Sequence, residues 1–167
     1  MRLTLEQALN DHKSSVYKAA FYVCRNPQDA EDVAQDTFLT YYSGSDQFET
    51  EEHIRAWLLK VAVNKARNLK RSFWNRNRLS VNDLTAWLET HTPTGSETMD
   101  HDSEEIVTAV MGLPDKCRII VHLFYYEDYS IKEIAEVLEI KENTVKSQLH
   151  RGRALLKSML KEMWENE

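Results

Sequence analysis

The chain is predicted to be all-α: two small helical domains joined by an acidic, flexible linker, the second containing a helix-turn-helix. Three observations lead there. Four Gly and three Pro, with few runs of β-branched residues, leave little material for hairpins. Apolar residues recur at helical spacing behind recognisable helix-start signals. Between the two periodic regions lies HTPTGSETMDHDS, starting at His91, with almost no large apolar side chain. A hydrophobic content of 42% is enough for packed cores on either side of it.

Thr4 and Gln7 make a capping box for a first helix carrying Leu5, Leu9, Val16, Tyr17, Ala20, Phe21 and Cys24. Asn26 caps the next, because the Pro27 that follows is tolerated only in a first turn. Ala30, Val33, Ala34, Phe38 and Tyr41 form its inward stripe, so its acidic residues face outward. Ser43 to Glu52 reads as a loop. Ile54, Trp57, Leu58, Val61, Ala62 and Leu69 define a long third helix, with Lys60, Asn64, Arg67 and Arg71 on a separate stripe. Trp57 shares the face of Ile54 and Val61 and reads as core rather than as a stacking platform.

Helical periodicity fades beyond Arg71, which sets a first domain at 1–72, a linker at 73–103 and a second domain at 104–167. Drawn out at about 3.3 Å per residue, a linker of about 25 to 30 residues spans roughly 80 to 100 Å. In the second domain Ile106, Val107, Val110 and Met111 lie on one helix, and Ile119, Ile120, Leu123 and Phe124 on another after Leu113 and Pro114. Ser130 and Glu133 then form a capping box for a short helix with Ile131, Ile134, Ala135 and Leu138 inward. Glu139, Ile140 and Lys141 make a turn into a final helix whose inward face is Val145, Leu149, Gly152 and Leu156. Thr144, Ser147, Gln148 and Arg151 are left outward, with Lys146, His150 and Arg153 beside them. Hydroxyl, amide and guanidinium groups on such a helix suit base edges and phosphates, the pattern of a DNA reader.

A net charge of −6 is unexpected for a polyanion binder, but the distribution resolves this. No Lys or Arg occurs between Arg25 and Arg55, and no carboxylate from His53 to Asn82. A second acidic block runs from Asp83 to Asp115, and Lys146, Arg151, Arg153, Lys157 and Lys161 close the chain in a basic one. Alternating blocks predict two nucleic-acid contacts and a basic protein partner. Cys24 and Cys117 have no metal-ligand or CxxC spacing, and Cys24 reads as a packing residue. No apolar run approaches a membrane span and no signal-peptide pattern opens the chain, which predicts a cytoplasmic protein without membrane insertion. Without a Walker loop, a Gly-x-Ser-x-Gly elbow or a His-Glu-x-x-His helix, no catalysis, metal or cofactor is expected.

These blocks, in this order, resemble the extracytoplasmic-function (ECF) group of bacterial RNA polymerase sigma factors. DAEDVAQDTFLTYY from Asp29 is similar to the family's core-polymerase-binding helix, and IRAWLLKVAVNKARNLKR from Ile54 to its promoter-melting and minus-10-reading helix. LPDKCRIIVHLFYYEDYSIKEIAEVLEIKENTVKSQLHRGRALL from Leu113 is similar to its minus-35-reading domain. The resemblance implies that Asp29, Glu31, Asp32, Gln35 and Asp36 meet the polymerase clamp helices, and that Ser43 to Glu52 holds a flipped minus-10 base. It implies that Asn64, Arg67, Lys70 and Arg71 grip the opened strand. Thr144, Lys146, Ser147, Gln148, His150 and Arg151 approach the minus-35 element on this reading, with Arg153 on phosphate. A dedicated anti-sigma factor is implied as a partner besides core RNA polymerase and promoter DNA. Three positions depart from the family: Glu139 where Gly is usual, Lys141 where Ser is usual, and Gln148 where a base is common. Gln148 either exchanges a phosphate contact for amide pairing with adenine or loses a contact. The alternative is a stand-alone helix-turn-helix regulator, which would not need the acidic helix followed by a basic amphipathic one.

Overall fold

The computed structural model describes residues 1–72 and 101–165. Among them are seven α-helices and no strand. The chain divides into two compact units, Met1–Leu79 and Ser80–Glu167. Most of the expected linker lies outside the described residues.

The first unit is a three-helix bundle of α1 (Leu5–Cys24), α2 (Pro27–Ser43) and α3 (Glu51–Ser72), in which each helix packs on the other two. The Thr4–Gln7 capping box forms in both directions: the Gln7 N–H donates to Thr4 Oγ1 and the Thr4 N–H to Gln7 Oε1. Asn26 Oδ1 accepts the N–H groups of Gln28 and Asp29, both at 3.0 Å, which satisfies two of the free donors at the start of α2. The predicted stripe Ala30, Val33, Ala34, Phe38 and Tyr41 is fully buried. The loop is shorter than expected, 44–50, because α2 runs to Ser43 and α3 begins at Glu51.

The buried face of α3 differs from the expected one. Ile54, Leu58, Leu59, Ala62, Val63 and Ala66 are buried, whereas Trp57, Val61 and Leu69 are half-exposed. Helix α3 is apolar on more than one flank, and contact with both α1 and α2 selects the flank carrying small Ala62 and Ala66. The Cys24 thiol reaches the Ala66 carbonyl at 4.0 Å there. Burial first, then the charge of Asp29, pushes that thiol up to about 12, so Cys24 is an unreactive packing group.

His12, 6% exposed on α1, is a buried polar group with no hydrogen-bond partner on Nε2. Desolvation holds its pKa below the usual 6.5, against the opposing pull of Asp11 and Glu51. The folded state therefore binds fewer protons than the unfolded one at acid pH. Stability is unaffected above about pH 6.5 and falls as pH drops below it, until the folded imidazole also titrates. His12→Gln is expected to flatten the thermal-melt dependence on pH between about 6.5 and 5; an unchanged slope would assign it to other groups.

In the second unit α4 (His101–Met111), α5 (Asp115–Tyr125), α6 (Ile131–Leu138) and α7 (Glu142–Glu165) pack with α7 in contact with all three others. Val107, Ala109, Val110 and Met111 of α4 are buried, and Ile106 is 38% exposed. Arg118 is 1% exposed; its guanidinium donates to the Leu113 carbonyl at 3.1 Å and to Asp115 Oδ1 at 2.6 Å, tying α5 to the turn before it. A cation so deep in the protein requires such partners.

Candidate nucleic-acid and partner interfaces

The helix-turn-helix is assembled by local chemistry. Ser130 and Glu133 form a reciprocal capping box at the start of α6. Glu139 closes α6 in the left-handed conformation, φ 56° and ψ 46°, with its N–H donating to the Ala135 carbonyl. Glycine adopts that conformation without penalty, whereas Glu139 carries a Cβ into it. Lys141 stands one residue before α7, and its carbonyl accepts the Val145 N–H at 3.1 Å. Its side chain offers the helix start no acceptor.

Val145, Leu149 and Gly152 are buried, and Leu156 half-buried, as the spacing predicts. Gly152 is required by proximity: a Cβ there would lie 2.8 Å from Val121 Cγ2 and 3.4 Å from Cys117 Cβ. At Gly152 the α7 backbone thus meets the α5 side chains of Val121 and Cys117 directly, and this fixes the rotation of α7. Thr144, Lys146, Ser147, His150 and Arg151 share one exposed arc.

Two members of the expected set are held differently. Gln148 is half-buried on the flank of the inward stripe, where its Oε1 accepts the Cys117 thiol at 3.2 Å. The expectation that it points fully outward is thereby corrected: α5 supplies a neighbour to that flank. Arg153 Nε donates to the Tyr125 hydroxyl at 2.6 Å, and its guanidinium lies 5.1 Å from the Phe124 ring centroid and 5.6 Å from that of Tyr125. The aromatic pair orients this cation while leaving it exposed. Tyr125 and Cys117 stand 28 and 31 residues from their partners, and their supporting roles were missed in the sequence. Only the run Phe124–Tyr125–Tyr126, unusually aromatic for a helix end, hinted at one of them.

In the first unit the acidic set lies along α2. Asp32, Gln35 and Asp36 are exposed, and Asp29 and Glu31 half-exposed. Asp29 also sits in the first turn, where a carboxylate complements the helix dipole. Glu31 is close enough to Tyr17 on α1 to help burial hold that phenol above its usual pKa. Asp36 Oδ2 accepts Lys65 Nζ of α3 at 2.7 Å, an exposed ion pair worth at most about 1 kcal/mol and easily exchanged. Asp32, Val33, Asp36, Lys65, Asn68 and Leu69 line a shallow groove between the two helices.

Asn64, Arg67 and Lys70 of α3 are half-buried, and the Arg71 side chain lies outside the described residues. Lys70 is near enough to Cys24 for its charge to act on that thiol. The 44–50 loop rests on an aromatic cluster: Phe48 stacks on Tyr41 at 6.1 Å, and Trp57 meets both rings edge-on at 6.0 Å. Trp57 is thus half-buried support beneath the loop, shared between the loop and α2.

Both halves match known families in the order of their geometry. The Sigma-70 region 2 model covers residues 9–76, and the Sigma-70 region 4 model residues 103–156. The ECF RNA polymerase sigma factor SigW of Bacillus subtilis is 28% identical over 161 residues, spanning 91% of this chain and 86% of that protein. SigL of Mycobacterium tuberculosis, another ECF RNA polymerase sigma factor, is 32% identical over 161 residues, 95% of this chain and 90% of that protein. Among solved structures, the sigma factor RpoE bound to the anti-sigma factor NepR, from Bartonella quintana, superposes with a TM-score of 0.71 over 93% of this chain and 96% of that one, at 22% identity. CnrH in complex with the cytosolic domain of CnrY gives 0.66 over 94% and 87%, at 26% identity. A helix-turn-helix held by a glycine contact and an acidic α2 backed by a basic α3 stand in one chain that aligns almost end to end with these proteins: the chain belongs to the ECF family of RNA polymerase sigma factors.

Proposed function

We propose that the chain is a promoter-specificity subunit that binds core RNA polymerase, directs it to a limited set of promoters and nucleates strand opening, acting in the cytoplasm and catalysing nothing itself. The observation that carries this reading is the exposed arc Thr144, Lys146, Ser147, His150 and Arg151 on a helix whose rotation is fixed by Gly152. Side chains so held can reach base edges and phosphates of a minus-35 element while Arg153, oriented by Tyr125, meets the backbone. The Gln148 amide, engaged by Cys117, keeps its N–H2 for a base or phosphate acceptor.

In the same reading Asp29, Glu31, Asp32, Gln35 and Asp36 face basic residues of the polymerase clamp helices. The loop after α2 receives the flipped minus-10 base, and Asn64, Arg67, Lys70 and Arg71 hold the opened strand. The functional units are 1–72 and 104–167, joined by 73–103, the last three residues of which begin α4. One solved relative, the sigma factor RpoE, was captured with the anti-sigma factor NepR, which supports an anti-sigma partner for this chain.

Run-off transcription with purified core enzyme and a promoter library tests the proposal. Addition of the chain is expected to yield promoter-specific transcripts that core alone does not make. The isolated chain, of net charge −6, should bind duplex weakly until core is added. Tight unaided duplex binding with no gain in transcript would replace the proposal by a stand-alone regulator.

A further inference from the structure

The 44–50 loop has few backbone hydrogen bonds of its own, and much of what restrains it comes from the first three residues of the chain. The Phe48 N–H donates to the Met1 carbonyl at 3.0 Å. Arg2 bridges two acceptors, donating through one guanidinium nitrogen to the Asp46 carbonyl at 2.6 Å and through the other to the Tyr41 carbonyl. The guanidinium also lies over the Tyr41 ring, 4.4 Å from its centroid, and the Tyr41 hydroxyl donates to the Leu3 carbonyl at 2.7 Å. Helix α2 has no basic residue in its own last turn. Arg2 supplies that charge from 39 positions away, at the end of the helix where the dipole favours a cation.

We propose that Met1–Leu3 is a strap that holds the 44–50 loop in its base-capturing conformation, with Arg2 as the positioning residue. This rests on the reading of that loop as the minus-10 pocket. A flipped base is captured with useful selectivity only by a loop whose backbone is already in place, since ordering it on binding would cost free energy for right and wrong bases alike. The planar fork of Arg2 joins the fixed end of α2 to the middle of the loop, a two-point tie that the single ammonium of lysine cannot reproduce.

The test uses holoenzyme assembled from core polymerase and the full chain, with one promoter pair differing only in the minus-10 element and one differing only in the minus-35 element. Arg2→Ala is expected to reduce minus-10 discrimination in run-off yield by about tenfold while leaving minus-35 discrimination unchanged. Arg2→Lys should recover part of it. Tyr41→Phe, which removes only the hydroxyl bonded to Leu3, should move the same ratio less, and it decides the matter if Arg2→Ala loses helicity. Equal loss on both pairs would make the segment a general stabiliser and overturn the proposal. Ser45→Ala and Asp46→Ala act as loop controls. If they lower minus-10 discrimination and the strap variants do not, the strap is wrong; if they leave it untouched, the reading of the loop is wrong.

Discussion

Replacing Lys146 and Arg151 together by Glu is expected to cost reconstituted holoenzyme at least about a hundredfold in transcript from a minus-35-dependent promoter. Both side chains are exposed on α7, outside the Val145, Leu149 and Gly152 face, so the helix keeps its packing. The local penalty is the new i, i+4 carboxylate pair with Glu142, about 0.2 to 0.5 kcal/mol. Each lost contact to a base or phosphate costs about 1 to 3 kcal/mol, and a carboxylate in its place repels the backbone. At about 1.4 kcal/mol per factor of ten, the sum far exceeds any folding effect. Two fewer phosphate partners would also flatten the salt dependence of duplex binding by roughly two in logarithmic slope. Core polymerase retention in a pull-down should be unchanged, because the acidic face of α2 belongs to the other unit. Transcript within a few-fold of the parent chain would remove α7 from promoter recognition.

Gly152→Ala is expected to destabilise the second unit by about 1 to 3 kcal/mol, the range for overpacking a filled core. That is a melting shift of several degrees or more for a unit of this size, at about 4 to 8 °C per kcal/mol. The added methyl meets Val121 Cγ2 at 2.8 Å, and Val121 is buried with a β-branched side chain that is stiff at χ1, so it does not swing clear at low cost. Either α5 and α7 separate or α7 rotates, and both responses re-aim Lys146, His150 and Arg151. Promoter recognition should therefore fall further than stability alone accounts for. A double-mutant cycle with Val121→Ala isolates the contact: the pair should be less destabilised than the sum of the singles. Strict additivity would show that something other than this approach requires glycine.

Local chemistry was legible wherever a signal and its partner lie within one turn. The Thr4–Gln7 and Ser130–Glu133 boxes, the Asn26 cap before Pro27 and the α6–α7 turn all depend on neighbours in sequence, and all form as read. The α2 stripe was equally clear: Ala30, Val33, Ala34, Phe38 and Tyr41 recur at helical spacing and all are buried, while Leu39 and Tyr42 stay exposed. Helix α3 was not: Leu59 and Val63 compete with Trp57 and Val61 for the inward side, and periodicity alone does not rank two apolar flanks. In the candidate sites the exposed arc of α7 was readable from its spacing. The Cys117 thiol on Gln148, the Tyr125 hydroxyl on Arg153 and the Arg2 bridge to the loop were not.

From the amino-acid order alone came an all-helical chain, its capped helix starts, the alternation of acidic and basic blocks, and the family those blocks resemble, because each follows from spacing or from charge counted along one strand of polymer. Which flank of α3 is buried, how far Gln148 turns inward and what holds the 44–50 loop were decided only by packing. These depend on atoms brought within a few ångströms from positions about 30 to 40 residues apart, where side-chain volume and hydrogen-bond geometry choose among faces that periodicity leaves equivalent.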